Sequence, residues 1–179
     1  MVSTATTQAT IPADRFILRP LRRSDAGLIA HYCADLRVAE GTRTIPHPFP
    51  PGAAEAMVDR ALAPDRTEDA WALDGTAHGQ DELIGLVTLT RMDRGQSEVS
   101  YWISPAYWKT GLATEAVGAL VAANPHDARH LFAAVFQNAP GSARVLTNCG
   151  FDYLGDAEAW CPARNAVLPT WTYMMKLAG

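Results

Sequence analysis

The sequence predicts a single α/β domain in which a mixed, mostly antiparallel sheet of about seven strands is flanked by about four helices. Two observations lead to this prediction. Segments of alternating polar and apolar residues, typical of half-buried strands, are interleaved with segments whose apolar residues recur at helical spacing. The chain has 179 residues, of which 48% are hydrophobic, so it is long enough to bury one core, and no repeat or interdomain linker interrupts it.

The N-terminal third is predicted to contain one strand and two helices. Residues 15–21 (RFILRPL) alternate as a strand does, and residues 24–36 form a helix that a serine or an aspartate at its start can cap. The four prolines of residues 37–51 exclude a regular helix there. Residues 53–63 place their apolar side chains on one helical face, which predicts the second helix.

The remaining elements are predicted from changes in period. Three strands separated by turns form an antiparallel meander over residues 68–74, 82–90 and 98–103. Two helices and three strands then follow. The helices cover residues 111–123 and 142–149, the second capped by Ser142; the strands cover 131–136, which is continuously apolar and therefore central, 151–154 and 169–177.

Composition limits the class of protein. With 15 basic and 19 acidic residues the net charge is −4, which argues against a general nucleic-acid binder because no excess of cations is present to neutralise phosphates. We expect no membrane span and no secretory signal. Three cysteines at no motif spacing favour a reducing cytoplasm. Residues 1–12, rich in Ser and Thr, are expected to be a disordered tail before one domain over residues 13–179.

The segment with the most chemical information is residues 104–115 (SPAYWKTGLATE), which follows a predicted strand and opens a predicted helix. Gly111 lets backbone approach a ligand, and the first helical N–H groups, together with the helix dipole, favour an anion. Thr114 can add a hydroxyl donor. A pyrophosphate fits this arrangement. A glycine turn alone also fits an ordinary strand-to-helix connection, and the glycine patterns of the P-loop and of the dinucleotide-binding fold are absent.

The surrounding sequence resembles a known family. Residues 98–116 (EVSYWISPAYWKTGLATEA) closely resemble the acetyl-CoA motif of GNAT acetyltransferases, and look most like the RimJ/RimL branch of N-terminal acetyltransferases. Residues 16–21, 45–50 and 138–151 resemble that branch's opening strand, its proline-rich acceptor loop, and its final helix and strand. The resemblance spans about residues 15–177. It implies the GNAT fold, acetyl-CoA as co-substrate, and acetyl transfer to a primary amine by direct attack.

The resemblance also implies the residues that hold acetyl-CoA. The family's six-residue signature falls on residues 108–113, whose amides hold the pyrophosphate. Two splayed strands leave room for the pantetheine arm, which pairs with the backbone of residues 101–103. Asn138 matches an asparagine that touches pantetheine, although Ser142 follows it by four residues rather than the usual three. The implied cofactor-binding residues are Tyr101, Trp102, Ile103, Trp108, Lys109, Thr110, Gly111, Leu112, Ala113, Thr114 and Asn138.

Two residues are candidates for catalysis. Glu98 matches a carboxylate that recurs in the branch and can take a proton from the amine, or it is a solvated strand residue. Ser142 can donate a hydrogen bond to the leaving thiolate, or it is a helix cap. Other GNAT branches have a Tyr acid and a Glu base where this chain has Leu146 and Ala133.

The acceptor is less well defined by the sequence. His47 and Phe49, in the proline-rich loop, are the candidate substrate-binding residues. We expect an amine acceptor, either a peptide or protein N-terminus or a small molecule, and a monomer or homodimer. His126 and His130 lack a third ligand nearby, so no metal is expected. The alternative function is a non-catalytic acyl-CoA-binding module.

Overall fold

The computed structural model describes residues 8–178, which form one mixed sheet with helices on both faces. The helices are α1 Ala26–Cys33, α2 Leu36–Ala39, α3 Ala53–Leu62, α4 Leu112–Ala123 and α5 Pro140–Asn148. The strands are β1 Ile11–Pro12, β2 Ile17–Pro20, β3 Glu68–Asp74, β4 Gly85–Arg91, β5 Gln96–Ile103, β6 His130–Phe136, β7 Asp152–Cys161 and β8 Ala166–Lys176.

The strand order is β1-β2-β3-β4-β5-β6-β8-β7, and among the described residues every neighbouring pair is antiparallel except β5 and β6. The predicted fold class is therefore confirmed. One hydrophobic cluster lies between the sheet and the α4–α5 face, and a second lies between the sheet and the α1–α3 face. Within residues 8–178 no helix has the length and apolar character needed to cross a membrane.

The N-terminal lead-in is more ordered than the sequence predicted. Ile11 is buried, and β1 pairs with β2 as an eighth strand. The indole of Trp71 donates to the carbonyl of Ala9 at 2.8 Å, and the side-chain amide of Gln8 donates to the carbonyl of Ala70 at 2.8 Å. The prediction of disorder rested on local composition, and composition carries no information about hydrogen bonds to residues 62 positions away. The part of the tail prediction that falls on residues 1–7 lies outside the described residues.

Two helix boundaries also differ from the sequence predictions. The first helix ends at Cys33, because Asp35 accepts a hydrogen bond from the amide of Arg37 and starts the short helix α2. Helix α5 begins at Pro140, whose missing N–H suits the first helical position. The sequence predicted Ser142 as the cap of this helix, and that prediction is wrong: Ser142 is the third residue of α5, and Ala139 is at the N-cap position.

The C-terminal hairpin is much longer than predicted. Strands β7 and β8 span 10 and 11 residues, whereas the sequence predicted 151–154 and 169–177. Most of β7 is exposed, so its sequence lacks the apolar alternation by which half-buried strands are found. A β-bulge interrupts its pairing between Tyr153 and Gly155, and its exposed residues include Asp152, Asp156 and Glu158.

A buried ion cluster joins the start of the fold to the sheet. The Arg19 guanidinium donates to both carboxylate oxygens of Asp25, at 2.9 and 2.8 Å, and to Asp74 at 2.7 Å. It also donates to the carbonyl of Glu82 at 2.8 Å. Burial opposes ionisation of Asp74, but hydrogen bonds from Thr76 and Arg19 outweigh it and hold the pKa of that carboxyl below its usual range.

Removing the cation of this cluster should destabilise the fold. We expect Arg19→Met to lower the free energy of unfolding by about 3–5 kcal/mol at neutral pH, because two buried carboxylates lose their partner. A carboxyl with a depressed folded pKa stabilises above its unfolded pKa of about 4 and loses that contribution as pH falls through the folded value. Urea unfolding at pH 7 and pH 3 should therefore show the gap between variant and wild type narrowing in acid; a constant gap would contradict the prediction.

Candidate active site

The sheet opens between its two parallel strands. Strands β5 and β6 pair only over Gln96–Glu98 and His130–Phe132. Beyond Glu98, β5 stays paired with β4 as far as Ile103, whereas β6 stays paired with β8 as far as Phe136. The two strands therefore diverge, and one edge of β5 is left without a strand partner over its last five residues.

The backbone groups that face this opening follow from the register of β4 and β5. The amide of Ser104 donates to the carbonyl of Ile84 at 2.9 Å. Hydrogen-bonded and non-hydrogen-bonded pairs alternate along an antiparallel ladder. Trp102 therefore directs its N–H and C=O to β4, while Tyr101 and Ile103 direct theirs to the opening. The carbonyl of Ile103 accepts from the indole of Trp108 at 2.7 Å, so the groups left free to face the opening are the amides of Tyr101 and Ile103 and the carbonyl of Tyr101.

The turn from β5 to α4 ends in an uncapped helix. Lys109 and Gly111 have positive φ angles of 61° and 81°, and α4 begins at Leu112 without a side-chain hydrogen bond to its first amides. The conformation of Gly111 is one that side-chain-bearing residues rarely adopt. The helix dipole and free N–H groups make this end of α4 suitable for an anion.

Helix α5 forms the opposite wall of the opening. The hydroxyl of Tyr101 donates to the carbonyl of Ser142 at 2.6 Å, which fixes the first turn of α5 against β5. Burial raises the pKa of Tyr101 well above its ordinary value, so the phenol remains a donor throughout the neutral range. Cys149, at the end of α5, directs its thiol to the carbonyl of Thr114 at 3.4 Å and links α5 to α4.

These elements surround a cavity of about 870 Å³, within the range of ligand pockets. It brings together most of the residues predicted from the sequence. Those that line it are Tyr101, Trp102, Ile103, Trp108, Lys109, Gly111, Leu112, Ala113, Thr114, Asn138 and Ser142. Their roles in binding or catalysis remain predictions. The residues present fit acetyl-CoA, because an open strand edge and an uncapped helix N-terminus meet in one cavity.

Four predicted site residues lie outside this cavity lining: Glu98, Thr110, His47 and Phe49. Glu98 lies on the face of β5 opposite to Tyr101, and its Oε1 is bound by the guanidinium of Arg43. His47 is exposed, and Phe49 packs against the core under α1 and α3.

Thr110 is turned away from the cavity. Its hydroxyl donates to the carbonyl of Tyr107 within the turn. Its own carbonyl accepts from Nη1 of Arg15 at 2.9 Å. Of the six residues 108–113, five therefore line the cavity, and Thr110 alone faces away from it.

Sequence reasoning missed the wall supplied by α2 and the C-terminal hairpin. Arg164, in the β7–β8 turn, contacts the side-chain amide of Asn138 and lies 3.9 Å from the carboxylate of Glu40. The thiol of Cys161 points to the carbonyls of Glu40 and Thr42 at 3.6 and 3.7 Å. Pro162 and Asn165 signal a turn, but no local pattern predicts that the hairpin folds over α2. The lining residues not predicted include Arg37, Glu40, Thr42, Arg144, Asn148 and Arg164.

Charge in the cavity is concentrated and positive. The charged side chains of its lining are four basic ones, Arg37, Lys109, Arg144 and Arg164, and one acidic one, Glu40. The whole chain has a net charge of −4, so this is a local excess. Such an excess raises the local concentration of an anionic ligand.

His126, in the α4–β6 connection, is held by two hydrogen bonds. His126 is buried; its Nδ1 lies 2.9 Å from the hydroxyl of Ser97, and its Nε2 lies 2.7 Å from the carboxylate of Asp69. Burial lowers the pKa of His126, although Asp69 opposes the effect. The network ties the connection to β5 and β3. Among residues 8–178, no group of three His, Cys, Asp or Glu side chains could hold a metal.

The split sheet, the uncapped helix and the cation-lined cavity define an acyl-CoA-dependent transferase. The sequence family described as "Acetyltransferase (GNAT) domain" matches residues 15–152, and the chain therefore belongs to the GNAT acetyltransferase family. It is an acetyl-CoA-dependent N-acetyltransferase.

Solved structures show the same fold at low identity. RimL, a ribosomal L7/L12 α-N-protein acetyltransferase solved with coenzyme A, is 13% identical with a TM-score of 0.79, covering 94% of this chain and 98% of its own. The ribosomal-protein-S5-alanine acetyltransferase of Vibrio fischeri is 19% identical with a TM-score of 0.77, covering 94% and 97%. The spermidine N-acetyltransferase of Vibrio cholerae, solved with CoA and spermine, is 16% identical with a TM-score of 0.76, covering 90% and 95%.

A bulky anion in the turn should abolish binding of the donor. We expect Gly111→Glu to weaken coenzyme A binding by at least about 100-fold, because a side chain is strained at this φ and would crowd the Arg15 guanidinium, so that the turn and the amides that follow it are displaced. Isothermal calorimetry with coenzyme A measures the effect. Gly79→Glu is the matched control, since Gly79 also has a positive φ and open space around it. Equal affinity of Gly111→Glu and wild type would show that the site lies elsewhere.

Proposed function

We propose that this acetyltransferase acts on a primary amine by direct attack, as the RimJ/RimL-like resemblance of its sequence implies. The observation that carries the proposal is the convergence of the open edge of β5, the uncapped start of α4 and the α2–hairpin wall on one cavity. The first two are suited to the donor, and the third leaves a separate side of the cavity for the acceptor. The free cysteines Cys33, Cys149 and Cys161 support a cytoplasmic location.

Acetyl-CoA, when bound, supplies an acetyl thioester. The amides of residues 111–114 hold its pyrophosphate, and Lys109 of the turn and Arg144 of α5 supply cations that line the same cavity. The backbone of Tyr101 and Ile103 pairs with the pantetheine arm as an added strand would. An amide of this open edge donates to the thioester carbonyl and stabilises negative charge on that oxygen. Trp102 contributes its side chain rather than its backbone.

Glu98 is the proposed acceptor of the amine proton. An α-amine titrates near pH 8, so only modest help is needed to obtain its neutral form. Glu98 is three residues from Tyr101 along β5, which is about 10 Å, so a water relays the proton. Arg43 contacts one oxygen of this carboxylate, and in the described part of the chain the other oxygen has no hydrogen-bond partner. Arg43 therefore orients Glu98 and leaves one oxygen for the relay.

Ser142 is the proposed donor to the departing sulfur. It is the third residue of α5, lines the cavity and is held beside β5 by the bond from Tyr101 to its carbonyl. Because α5 begins at Pro140, the hydroxyl of Ser142 does not cap the helix and is available to a ligand. A hydroxyl in this position can donate to a thiolate as charge develops on it.

The acceptor enters past α2 and the hairpin. Arg37 is paired with Asp35, at 2.7 Å, so the remaining charges on this wall are Glu40 and Arg164. A polyamine would meet a single carboxylate there and at least one cation. We therefore propose a peptide or protein N-terminus, or a small amine of low positive charge.

The function is tested by thiol release from acetyl-CoA in the presence of N-terminal peptides, amino acids, polyamines and small amines. Release that depends on one amine class, with the acetylated amine identified by mass, supports the proposal. Tight coenzyme A binding without release for any amine would instead indicate the alternative, a non-catalytic acyl-CoA-binding module.

The two catalytic candidates should respond differently to pH. Glu98→Gln keeps the side-chain shape and should lower kcat by roughly 10²–10⁴-fold near neutral pH, with partial recovery as pH rises and free amine accumulates. Ser142→Ala should cost less and should not recover with pH. Full pH–rate profiles with thermal melts measure both effects. The control is Glu82→Gln, another ion-paired carboxylate remote from the cavity lining. If Glu98→Gln keeps the wild-type pH–rate profile, Glu98 is not the proton acceptor and is only a solvated residue of β5.

The proline-rich loop should affect the acceptor alone. We expect His47→Ala combined with Phe49→Ala to raise the acceptor KM several-fold while the affinity for coenzyme A stays near its starting value. The loop itself does not line the cavity, but it follows closely on Thr42, which does, and its restricted backbone lowers the entropy of ordering that wall. Steady-state kinetics and calorimetry separate the two quantities. Equal loss of both would point to destabilisation through Phe49, which packs on the core.

A further inference from the structure

The anion-binding end of α4 contains an acidic residue that opposes its function. Glu115 lies in the first turn of α4, and only 18% of its side chain is exposed. A carboxylate in the first turn of an ordinary helix is stabilising, because it interacts with the dipole and the free amides. Here the same amides are proposed to bind a pyrophosphate. A half-buried carboxylate within one helical turn repels such a ligand and competes for the amides.

Arg15 neutralises this carboxylate from behind the turn. Its Nε donates to Oε2 of Glu115 at 2.7 Å, and its backbone amide donates to Oε1 at 2.9 Å. Both oxygens of Glu115 are therefore directed away from the amides at the start of α4. Arg15 does not belong to the cavity lining, so it acts on the opposite side of the turn from the proposed pyrophosphate.

The same guanidinium also fixes the backbone of the turn. Its Nη1 donates to the carbonyl of Thr110 at 2.9 Å, and its Nη2 would lie 3.4 Å from a Cβ placed on Gly111. A carbonyl held on that side cannot turn its partial negative charge toward the cavity. Three N–H groups of one residue, a backbone amide and two of the guanidinium, thus hold a helix start and a turn about 100 positions away along the chain.

We infer that Arg15 is a positioning residue for the acetyl-CoA turn: it holds Glu115 and the Thr110 carbonyl away from the cavity, so that the amides of 111–114 meet the pyrophosphate without a competing negative charge. This inference rests on the proposed location of the donor site. It assigns Arg15 no contact with the ligand. The position requires an arginine, because the planar guanidinium donates to the Glu115 carboxylate and to the Thr110 carbonyl at the same time. A lysine supplies the same charge, but all its donors are on one nitrogen atom.

A purely structural role for Arg15 makes different predictions. In that case Arg15→Ala would lower stability, and removing the charge of Glu115 in addition would lower it further or leave it unchanged. If Arg15 compensates charge, the loss of affinity in Arg15→Ala arises from an unpaired Glu115. Neutralising Glu115 in the same protein then restores affinity for coenzyme A, even though both partners of the ion pair are gone.

The test is a double-mutant cycle read by calorimetry with coenzyme A, on full-length protein whose folding is checked by thermal melts. Arg15→Ala should weaken binding by about 10-fold, the effect of a charge on a helix terminus in a partly buried setting. Adding Glu115→Gln should recover most of that loss, and Glu115→Gln alone should bind at least as tightly as wild type. Arg15→Lys should lie between Arg15→Ala and wild type. The loss in Arg15→Ala should grow at low salt, because the unpaired charge is then less screened.

The control is Arg22→Ala, which removes an arginine of similar exposure from a surface ion pair with Glu82 and should leave the Kd unchanged. Wild-type affinity in Arg15→Ala overturns the inference, and so does a double variant that binds as weakly as Arg15→Ala. If Arg15→Ala fails to fold, Arg15→Lys and Glu115→Gln still complete the comparison. A wrong location for the donor site would be recognised separately, because Gly111→Glu would then bind coenzyme A with wild-type affinity.

Discussion

The parallel pairing of β5 and β6 stops after three residue pairs, and the active site depends on that limit. If the pairing continued, the amides of Tyr101 and Ile103 would be satisfied by β6, and no cavity would open between the two strands. The closed end is held by buried hydrogen bonds among Ser97, His126 and Asp69. The open end is held apart by packing, with Tyr101 bonded to α5 on one side. Strands β5 and β6 are thus held together at one end and apart at the other, so the free amides of Tyr101 and Ile103 are in place before a ligand binds.

The two sides of the cavity differ in the kind of group that they offer. The proposed donor side consists mainly of backbone amides, placed by a strand register and by one turn, and many sequences can supply the same backbone. This agrees with the likeness in fold to structures that are only 13–19% identical. The proposed acceptor side consists of side chains, notably Glu40, at the end of a short helix, and Arg164, in a hairpin turn. Specificity for the amine can therefore change without altering donor binding.

The sequence was sufficient where local rules decide the structure. The strand-turn-helix segment through Gly111 was predicted closely, because the turn residues, the periodicity and the helix start all lie within about 20 positions. Features that depend on distant partners were not predicted. Arg43 meets Glu98 across 55 positions, and Arg15 meets Glu115 across 100. The hairpin was also underestimated, since an exposed strand is defined by pairing with β8 rather than by a buried face. Neither kind of contact leaves a periodic signal in one sequence.

The sheet has two kinds of unpaired edge, and they face different hazards. Unpaired N–H and C=O groups invite pairing with another chain, which is how many proteins aggregate. Of the two outer edges, β1 and β7, the longer is β7. It is solvent-exposed, but a bulge near Tyr153 and Gly155 and acidic side chains at Asp152, Asp156 and Glu158 discourage pairing with a second strand. The inner edge, on β5, has no such protection in its sequence. It is protected because it is recessed: α5 and the turn before α4 enclose it. An extended small molecule can reach its hydrogen-bonding groups, whereas the edge strand of another sheet cannot.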